Sequence, residues 1–351
     1  MASDYVGRLA PSPTGALHLG NVRTFMVAWL RARSQGGRVV FRMEDLDHPR
    51  DKPGAAQGAV DDLKWLGFDW DEEFTQSERK PIYREALKFL RASHSTIRLS
   101  DHSIVSPLVY PCVCSRRDVE TAQSAPHAGE QLRYPGTCRG RFATWAEALA
   151  YKGAAPCWRF CVPEGTRVRF HDAFAGDYEQ DVAATLGDFP LARDEGGAGY
   201  TLACVVDDLL MGVTEVVRGD DLLAATPAQI LVAEALKNWK PSALLPALLP
   251  ALLPSSFFLL PSYLHVPLVV GPDGKRLAKR HGDTRIAAYR EAGKRPEEIL
   301  GLLAASCGWA APGESVSLRD LLPRFDLSTI PHAPFCFSVA SSTRSYLSLP
   351  T

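Results

Sequence analysis

Apolar positions near the start of the chain change period twice. Tyr5 to Leu9 is a short apolar run suited to a buried strand, and Pro11, Pro13 and Gly15 then interrupt regular structure. From Leu19, the residues Val22, Phe25, Met26, Trp29 and Leu30 recur at helical spacing until Gly36-Gly37. Val39, Val40, Phe41 and Met43 form a second strand, followed by a polar Glu-Asp-Leu-Asp segment. This strand, turn, helix and strand predict the opening unit of an α/β nucleotide-binding sheet. The unpaired N–H groups at such a helix start attract phosphate.

Further along, Pro53 opens a helix to Leu66, and another runs from Pro81 to Ala92. The acidic run Asp69, Asp71, Glu72 and Glu73 reads as a solvated turn rather than a metal site. Residues 93–107 are Ser-rich and aperiodic, which predicts an inserted surface loop with His94 and His102 in solvent. Alternating apolar runs over 157–172 and 188–217 predict strands of the second half of the sheet. Thr226 to Leu236 reads as a helix with Pro227 in its first turn. Residues 241–262 carry repeated Ala-Leu-Leu-Pro units; each interior proline costs a helix ~3 kcal/mol, so an irregular insertion is expected and a membrane span is not. A strand over 263–270, helices over 286–292, 296–307 and 317–322, and a disordered Ser/Pro-rich tail from Ile330 complete the reading.

The 351 residues suffice for a catalytic core with smaller modules. A net charge of −1 supplies no global field for RNA, so RNA contact requires local basic patches. Met1 runs straight into the first strand without a basic, apolar leader, and a cytoplasmic, membrane-free monomer is expected. The 8 cysteines do not suggest a disulfide framework. Cys112, Cys114 and Cys138 cluster in a loop-rich stretch too small to fold on its own core, which points to a structural Zn2+. His127 is one candidate for a fourth ligand, and reduced, packed thiols are the alternative. Cys157 and Cys161 border an apolar segment and read as packing residues.

His18-Leu19-Gly20-Asn21 stands at the start of the first helix, with Arg8 and Ser12 flanking the same crevice. This block resembles the HIGH signature of class I aminoacyl-tRNA synthetases. The surrounding RLAPSPTG and RMEDLD are similar to the glutamyl branch, and Arg276-Leu277-Ala278-Lys279-Arg280 resembles its KMSKS loop. The segment from Gly199 resembles the strand that walls the amino-acid pocket of that branch, followed by a VxRGxDL turn at Arg218. The resemblance implies a Rossmann-like class I catalytic core (1–110 and 157–270), a zinc-binding insertion (111–156), and a KMSKS-like loop with a short helical module (271–328). Residues 329–351 are left as the tail.

The resemblance also implies roles. His18, Gly20, Asn21 and Lys279 would hold ATP, with His18 and Lys279 catalytic and Mg2+ accompanying the nucleotide. Arg8 and Arg218 would read the side-chain carboxylate of L-glutamate, since a guanidinium matches a carboxylate bidentately. Tyr200 would add a hydroxyl and Glu44 would hold the ammonium, with Ser12 and the Ala10 backbone forming the floor. Tyr134, in Tyr-x-x-x-Cys, would be the fourth zinc ligand beside Cys112, Cys114 and Cys138.

No large anticodon-binding region is expected after Trp309. In this the chain resembles the glutamyl-queuosine tRNA(Asp) synthetases, a truncated branch that activates glutamate with ATP without tRNA and transfers it to queuosine of tRNA(Asp). The alternatives are a shortened discriminating glutamyl-tRNA synthetase and a noncatalytic zinc-containing RNA-binding protein.

Overall fold

The computed structural model describes residues 3–46, 51–98, 103–122, 133–193, 197–242, 259–277 and 283–338. Strand β1 (Val6–Leu9) passes through the proline turn into α1 (Leu19–Ser34). β2 (Arg38–Met43) then returns parallel to β1, with Val6 opposite Arg38 and Leu9 opposite Phe41. Gly37 lets this return pass close to the chain start: a Cβ there would lie 2.6 Å from the Tyr5 carbonyl oxygen. α2 (Ala55–Trp65) crosses to β3 (Glu72–Thr75), which pairs parallel with β2, and α3 (Lys80–Ala92) follows a single 3-10 turn.

The stretch expected to be an irregular loop is instead a hairpin. β4 (His94–Arg98) pairs antiparallel with β5 (Ser103–Pro107). Its sequence carries Thr96, Ile97, Ile104 and Val105, strong β-formers, without the apolar alternation of a half-buried strand. Next come β6 (Val109–Cys112), α4 (Arg116–Ala122), α5 (Trp145–Lys152) and β7 (Cys157–Phe160). β8 (Arg167–Asp172), β9 (Gly176–Asp181), α6 (Val182–Thr185) and β10 (Phe189–Ala192) follow. β7 is held antiparallel between β6 and β10 in a separate small sheet, so residues 157–172 divide between two sheets rather than joining one.

The apolar run after Gly199 is a helix, α7 (Tyr200–Leu210), where a strand was expected. Nearly all its residues are buried, and a helix covered on every side has no polar stripe to reveal its period. Gly199 caps its start, and Gly212, at φ 67°, follows its end. β11 (Glu215–Gly219), α8 (Thr226–Ala235), β12 (Ser262–Val266) and β13 (Val269–Val270) come next. α9 (Ile286–Glu291), α10 (Pro296–Ala305), α11 (Leu318–Leu321) and β14 (Phe335–Cys336) close the described chain.

β11 runs beside β1. The Thr214 N–H donates to the Val6 carbonyl at 3.0 Å, and the Val6 N–H donates to Thr214 Oγ1 at 3.0 Å. β12 pairs parallel with β11. The sheets β3-β2-β1 and β11-β12-β8-β9 thus meet edge to edge at β1 and β11; the resulting order β3-β2-β1-β11-β12 is that of a doubly wound sheet, with a crevice at the switch point between β1 and β11. One core packs α1, β2 and α2 against α9 to α11, and another packs α3, α7 and α8 against the small sheet. Among the described residues, no helix is long and apolar enough to cross a membrane. Most of the Leu/Pro-rich insertion lies outside the described residues.

The expected disorder from Ile330 onward does not hold for its first part. β14 pairs with β13, Val269 opposite Phe335, and Ile330 and Phe337 are buried in the core around α1. Apolar side chains spaced by Ser and Pro gave too weak a composition signal for a strand that completes a larger core. The Phe337→Ala variant should therefore unfold at lower urea, with a loss of about 3 kcal/mol; an unchanged midpoint would mean that this strand does not dock.

Candidate active site

At the switch point lies a cavity of about 620 Å³. Its wall comes from the β1–α1 turn (Ala10, Ser12), the start of α1 (His18, Gly20, Asn21), the residue after β2 (Glu44), the start of α7 (Tyr200), and the end of β11 with the turn after it (Gly219, Asp221). Arg276 approaches from the β13 side. Seven residues expected in one crevice, namely Ala10, Ser12, His18, Gly20, Asn21, Glu44 and Tyr200, therefore share a single cavity.

His18 occupies the N-cap of α1, and its backbone N–H donates to Asn21 Oδ1 at 3.3 Å. A Cβ at Gly20 would come within 3.3 Å of the His18 ring, so the glycine permits this close fit. Burial, reinforced by Arg276, lowers the His18 pKa from 6.5 to about 4, leaving the imidazole neutral at pH 7. His18 Nδ1 is buried without a hydrogen-bond partner among the described residues. A polar atom in that state, beside the N–H groups of a helix start and one arginine, suits an anionic ligand with acceptor and donor oxygens. Arg276 is itself held by Asp221 at 2.9 Å. Thr284 and Arg285, beyond the KMSKS-like loop, lie against the same turn: the Leu19 N–H donates to the Thr284 carbonyl, and His18 forms an isolated bridge with Arg285.

Below the cavity is a buried ionic cluster. Glu44 receives Arg42 at 3.1 Å and the Cys204 thiol at 3.3 Å. Arg42 also donates to Asp208 at 2.7 Å, and Arg8 lies 3.4 Å from the same carboxylate. Burial alone would lower the Arg42 pKa, but Asp208 and Glu44 outweigh it and keep the guanidinium firmly charged. The adjacent Asp207 accepts from Arg79 at 2.7 Å, Tyr83 at 2.7 Å and Gln76 at 3.0 Å. Tyr200 and Cys204 are one helical turn apart on α7, so Tyr200 stands above this cluster at the cavity wall.

Arg8 and Arg218 are buried beside the cavity rather than lining it. Both lie close enough to Tyr200 and Tyr263 to influence their phenols. Arg8 donates to the Val217 carbonyl at 2.9 Å, which ties β1 to β11. Arg218 donates from Nε to His265 Nε2 at 2.9 Å, to Gln229 at 2.8 Å and to Thr226 at 2.7 Å. His265 Nδ1 meets Asp172 Oδ2 at 2.6 Å, and burial keeps the His265 pKa low. The imidazole is thus neutral: Nδ1–H donates to Asp172, while Nε2 accepts from Arg218.

Cys112, Cys114 and Cys138 bring their Sγ atoms within 4.8 Å of one another. The Tyr134 hydroxyl lies 3.3 Å from Cys112 Sγ and 3.6 Å from Cys114 Sγ. Cys114 and Cys138 are 3.6 Å apart, close to the ~3.8 Å edge of a tetrahedron with metal–sulfur bonds of ~2.3 Å. The Arg159 guanidinium sits 3.8 Å from the Tyr134 ring centre. Cys157 faces Cys112 across the β6–β7 pairing and is outside the three-cysteine group. His127, the other candidate ligand, and Lys279 both lie outside the described residues.

Sequence reasoning missed Asp221 and the Arg276–Asp221 pair as cavity features. It also missed the network of Arg42, Cys204, Asp207 and Asp208 under the floor. The only signal in the chain was two adjacent acids inside an apolar run, Asp207-Asp208, which need buried cations.

Residues 5–249 match the family model described as tRNA synthetases class I (E and Q), catalytic domain. A protein of Symbiobacterium thermophilum named glutamyl-Q tRNA(Asp) synthetase is 42% identical over 339 residues, covering 93% of this chain and 94% of that one. A glutamate–tRNA ligase of Aquifex aeolicus is 37% identical, with 94% of this chain and 63% of the relative covered. A crystal structure of a glutamate tRNA ligase from Elizabethkingia meningosepticum, in complex with its amino acid, superposes with a TM-score of 0.72 at 26% identity. That superposition covers 96% of this chain and 67% of that structure.

The His18 environment sets an acid window. Its folded pKa, about 4, lies below the unfolded 6.5, so the unfolded chain binds the proton first as pH falls and stability is lost between those values. Urea midpoints from pH 7 to pH 4 should show wild type losing roughly 2 kcal/mol more than His18→Asn; parallel pH profiles would contradict this environment.

Proposed function

The chain belongs to the class I tRNA synthetases of the glutamyl and glutaminyl branch, and on that premise we propose that it activates L-glutamate with ATP and transfers it to queuosine of tRNA(Asp). The observation that carries this reading is one cavity at the sheet's switch point holding the His18-Leu19-Gly20-Asn21 turn at one side and Glu44 and Tyr200 at the other. The higher identity to the glutamyl-Q relative than to the Aquifex ligase favours queuosine as acceptor.

In the first step a glutamate α-carboxylate oxygen attacks the α-phosphorus of ATP and pyrophosphate departs. The protein's work is alignment and charge neutralisation. Neutral His18, the α1 N–H groups at Gly20 and Asn21, and Arg276 face the triphosphate, and Lys279 of the KMSKS-like segment adds a further positive charge for it. Mg2+ would accompany the nucleotide and neutralise phosphate charge. Glu44 takes the substrate ammonium, with Ser12 and the Ala10 backbone on the floor. Arg8 and Arg218 supply positive charge to the side-chain carboxylate from behind the wall, and Tyr200 adds its hydroxyl. Residues 1–110 and 157–270 act as the catalytic core, except that β6, β7 and β10 form the small sheet beside it; 111–156 act as the insertion and 271–328 as the loop with its helical module.

Cys112, Cys114, Cys138 and Tyr134 would hold one Zn2+, three thiolates and a phenol oxygen suiting a closed structural site. The ion would cross-link a segment with little core of its own.

Glutamate-dependent exchange of pyrophosphate into ATP should proceed without tRNA and fall at least about 100-fold in Lys279→Ala. Exchange that required tRNA(Glu) would favour the second reading, a shortened glutamyl-tRNA synthetase, which the 37% identity to the Aquifex ligase supports. Elemental analysis should find one zinc per chain in wild type and a substoichiometric amount in Cys114→Ser; zinc-free wild type with an unchanged melting temperature would exclude the metal assignment.

A further inference from the structure

A second cleft, of about 880 Å³, lies between α3 and the face formed by β6, β7 and the start of α5. It shares no lining residue with the cavity described above. One wall is the exposed face of α3. Ile82, Tyr83, Ala86, Leu87 and Leu90 are buried, which leaves Arg84, Lys88 and Arg91 exposed at positions i, i+4 and i+7 of the opposite stripe. They are therefore stacked roughly 6 and 10 Å apart along the helix axis. The other wall is aromatic: Phe142 and Trp145 are half-buried, and Trp158 is buried behind them. Trp145 and Trp158 lie 5.1 Å apart at an interplanar angle of 32°, and the Arg91 guanidinium sits 4.0 Å from the Trp158 ring centre.

Two further observations point to a ligand. Among the described residues, no acidic one lines the cleft, although acidic residues slightly outnumber basic ones in the chain as a whole. And Trp158, 4% exposed, has an indole Nε1–H with no acceptor among the described residues, an unsatisfied donor on a residue lining the cleft.

We propose that this cleft binds an unpaired RNA segment, its phosphates on Arg84, Lys88 and Arg91 and a base against the Trp145 face. Cations in a row beside flat aromatic rings are the combination that follows a single strand, since each phosphate needs a charge and each base offers a π-face. An acidic peptide would use the cations and leave the rings idle; a paired duplex would present phosphates but hide its bases. A base or ribose oxygen also supplies the acceptor that the Trp158 N–H lacks. The chemistry of the cleft stands by itself; only the identification of the natural RNA as a tRNA rests on the reading proposed above.

The test uses the full chain and a fluorescein-labelled, mixed-sequence single-stranded oligoribonucleotide, with affinity read by anisotropy across a salt series. The combined Arg84→Gln, Lys88→Gln and Arg91→Gln variant should bind at least tenfold more weakly. The slope of log affinity against log salt should shrink by about 2, at ~0.7 per lost phosphate contact. Trp145→Ala should weaken binding about fivefold with the salt slope unchanged, because stacking releases no counterions. Both variants should retain wild-type glutamate-dependent pyrophosphate exchange in the absence of RNA, which separates this site from the catalytic one and controls for folding. Wild-type affinity and slope in the triple variant would overturn the proposal, as would tighter binding of poly-L-glutamate than of RNA. Absent exchange in every protein, with the RNA effects intact, would remove the catalytic reading and leave this one standing.

Discussion

The two neighbouring carboxylates of α7, Asp207 and Asp208, are the constraint around which the catalytic half is arranged. Taking two charges out of water costs several kcal/mol each unless they are paired and hydrogen-bonded. Asp208 is met by Arg42 from β2 and Arg8 from β1, and Asp207 by Arg79, Tyr83 and Gln76 from the start of α3 and the turn before it. Removing one partner would leave an uncompensated charge inside, so the cluster fixes how α7 lies across two strands and a helix. Tyr200 rides on the first turn of α7 and Glu44 is gripped by Arg42, which places both at the cavity as a consequence of that pairing.

A second arrangement does the same for β11 and β12. Asp172, at the end of β8, accepts from His265, and His265 accepts from Arg218, so a guanidinium is aimed through a neutral imidazole by a carboxylate on another strand. His18 is neutral for the same first reason, burial, with Arg276 adding to it where Arg218 does so for His265. Oriented cations therefore lie behind one side of the crevice, and an uncharged ring with helix N–H groups and Arg276 lines the other. That division suits a substrate pair whose acid end and phosphates must be bound separately before they react.

Much of this was legible in the chain where the determinants are local. The β1–α1–β2 unit follows from prolines, glycines and helical spacing within a few dozen residues, and His18, Gly20 and Asn21 fell where that pattern put them. Local reasoning failed where neighbours are remote. α7 read as a strand because burial on all sides erased its polar stripe. β14 read as disorder because its pairing partner, β13, is more than sixty residues earlier. The positions of Arg8 and Arg218 behind the cavity wall, rather than on it, depend on Asp208, His265, Thr226 and Gln229, which no spacing rule connects to them. The three cysteines were legible as a group from their spacing, and Tyr134 from the Tyr-x-x-x-Cys pair of the family the chain resembles.

The central claim is that a crevice backed by Arg8 and Arg218 recognises an acidic amino acid. Calorimetric titration of the protein with L-glutamate and, separately, L-glutamine reads this directly, because the two differ only in the group that the arginines would face. The account predicts that glutamate binds at least about 100-fold more tightly, since an uncharged amide leaves buried donors unsatisfied. Equal affinity for the two would contradict it.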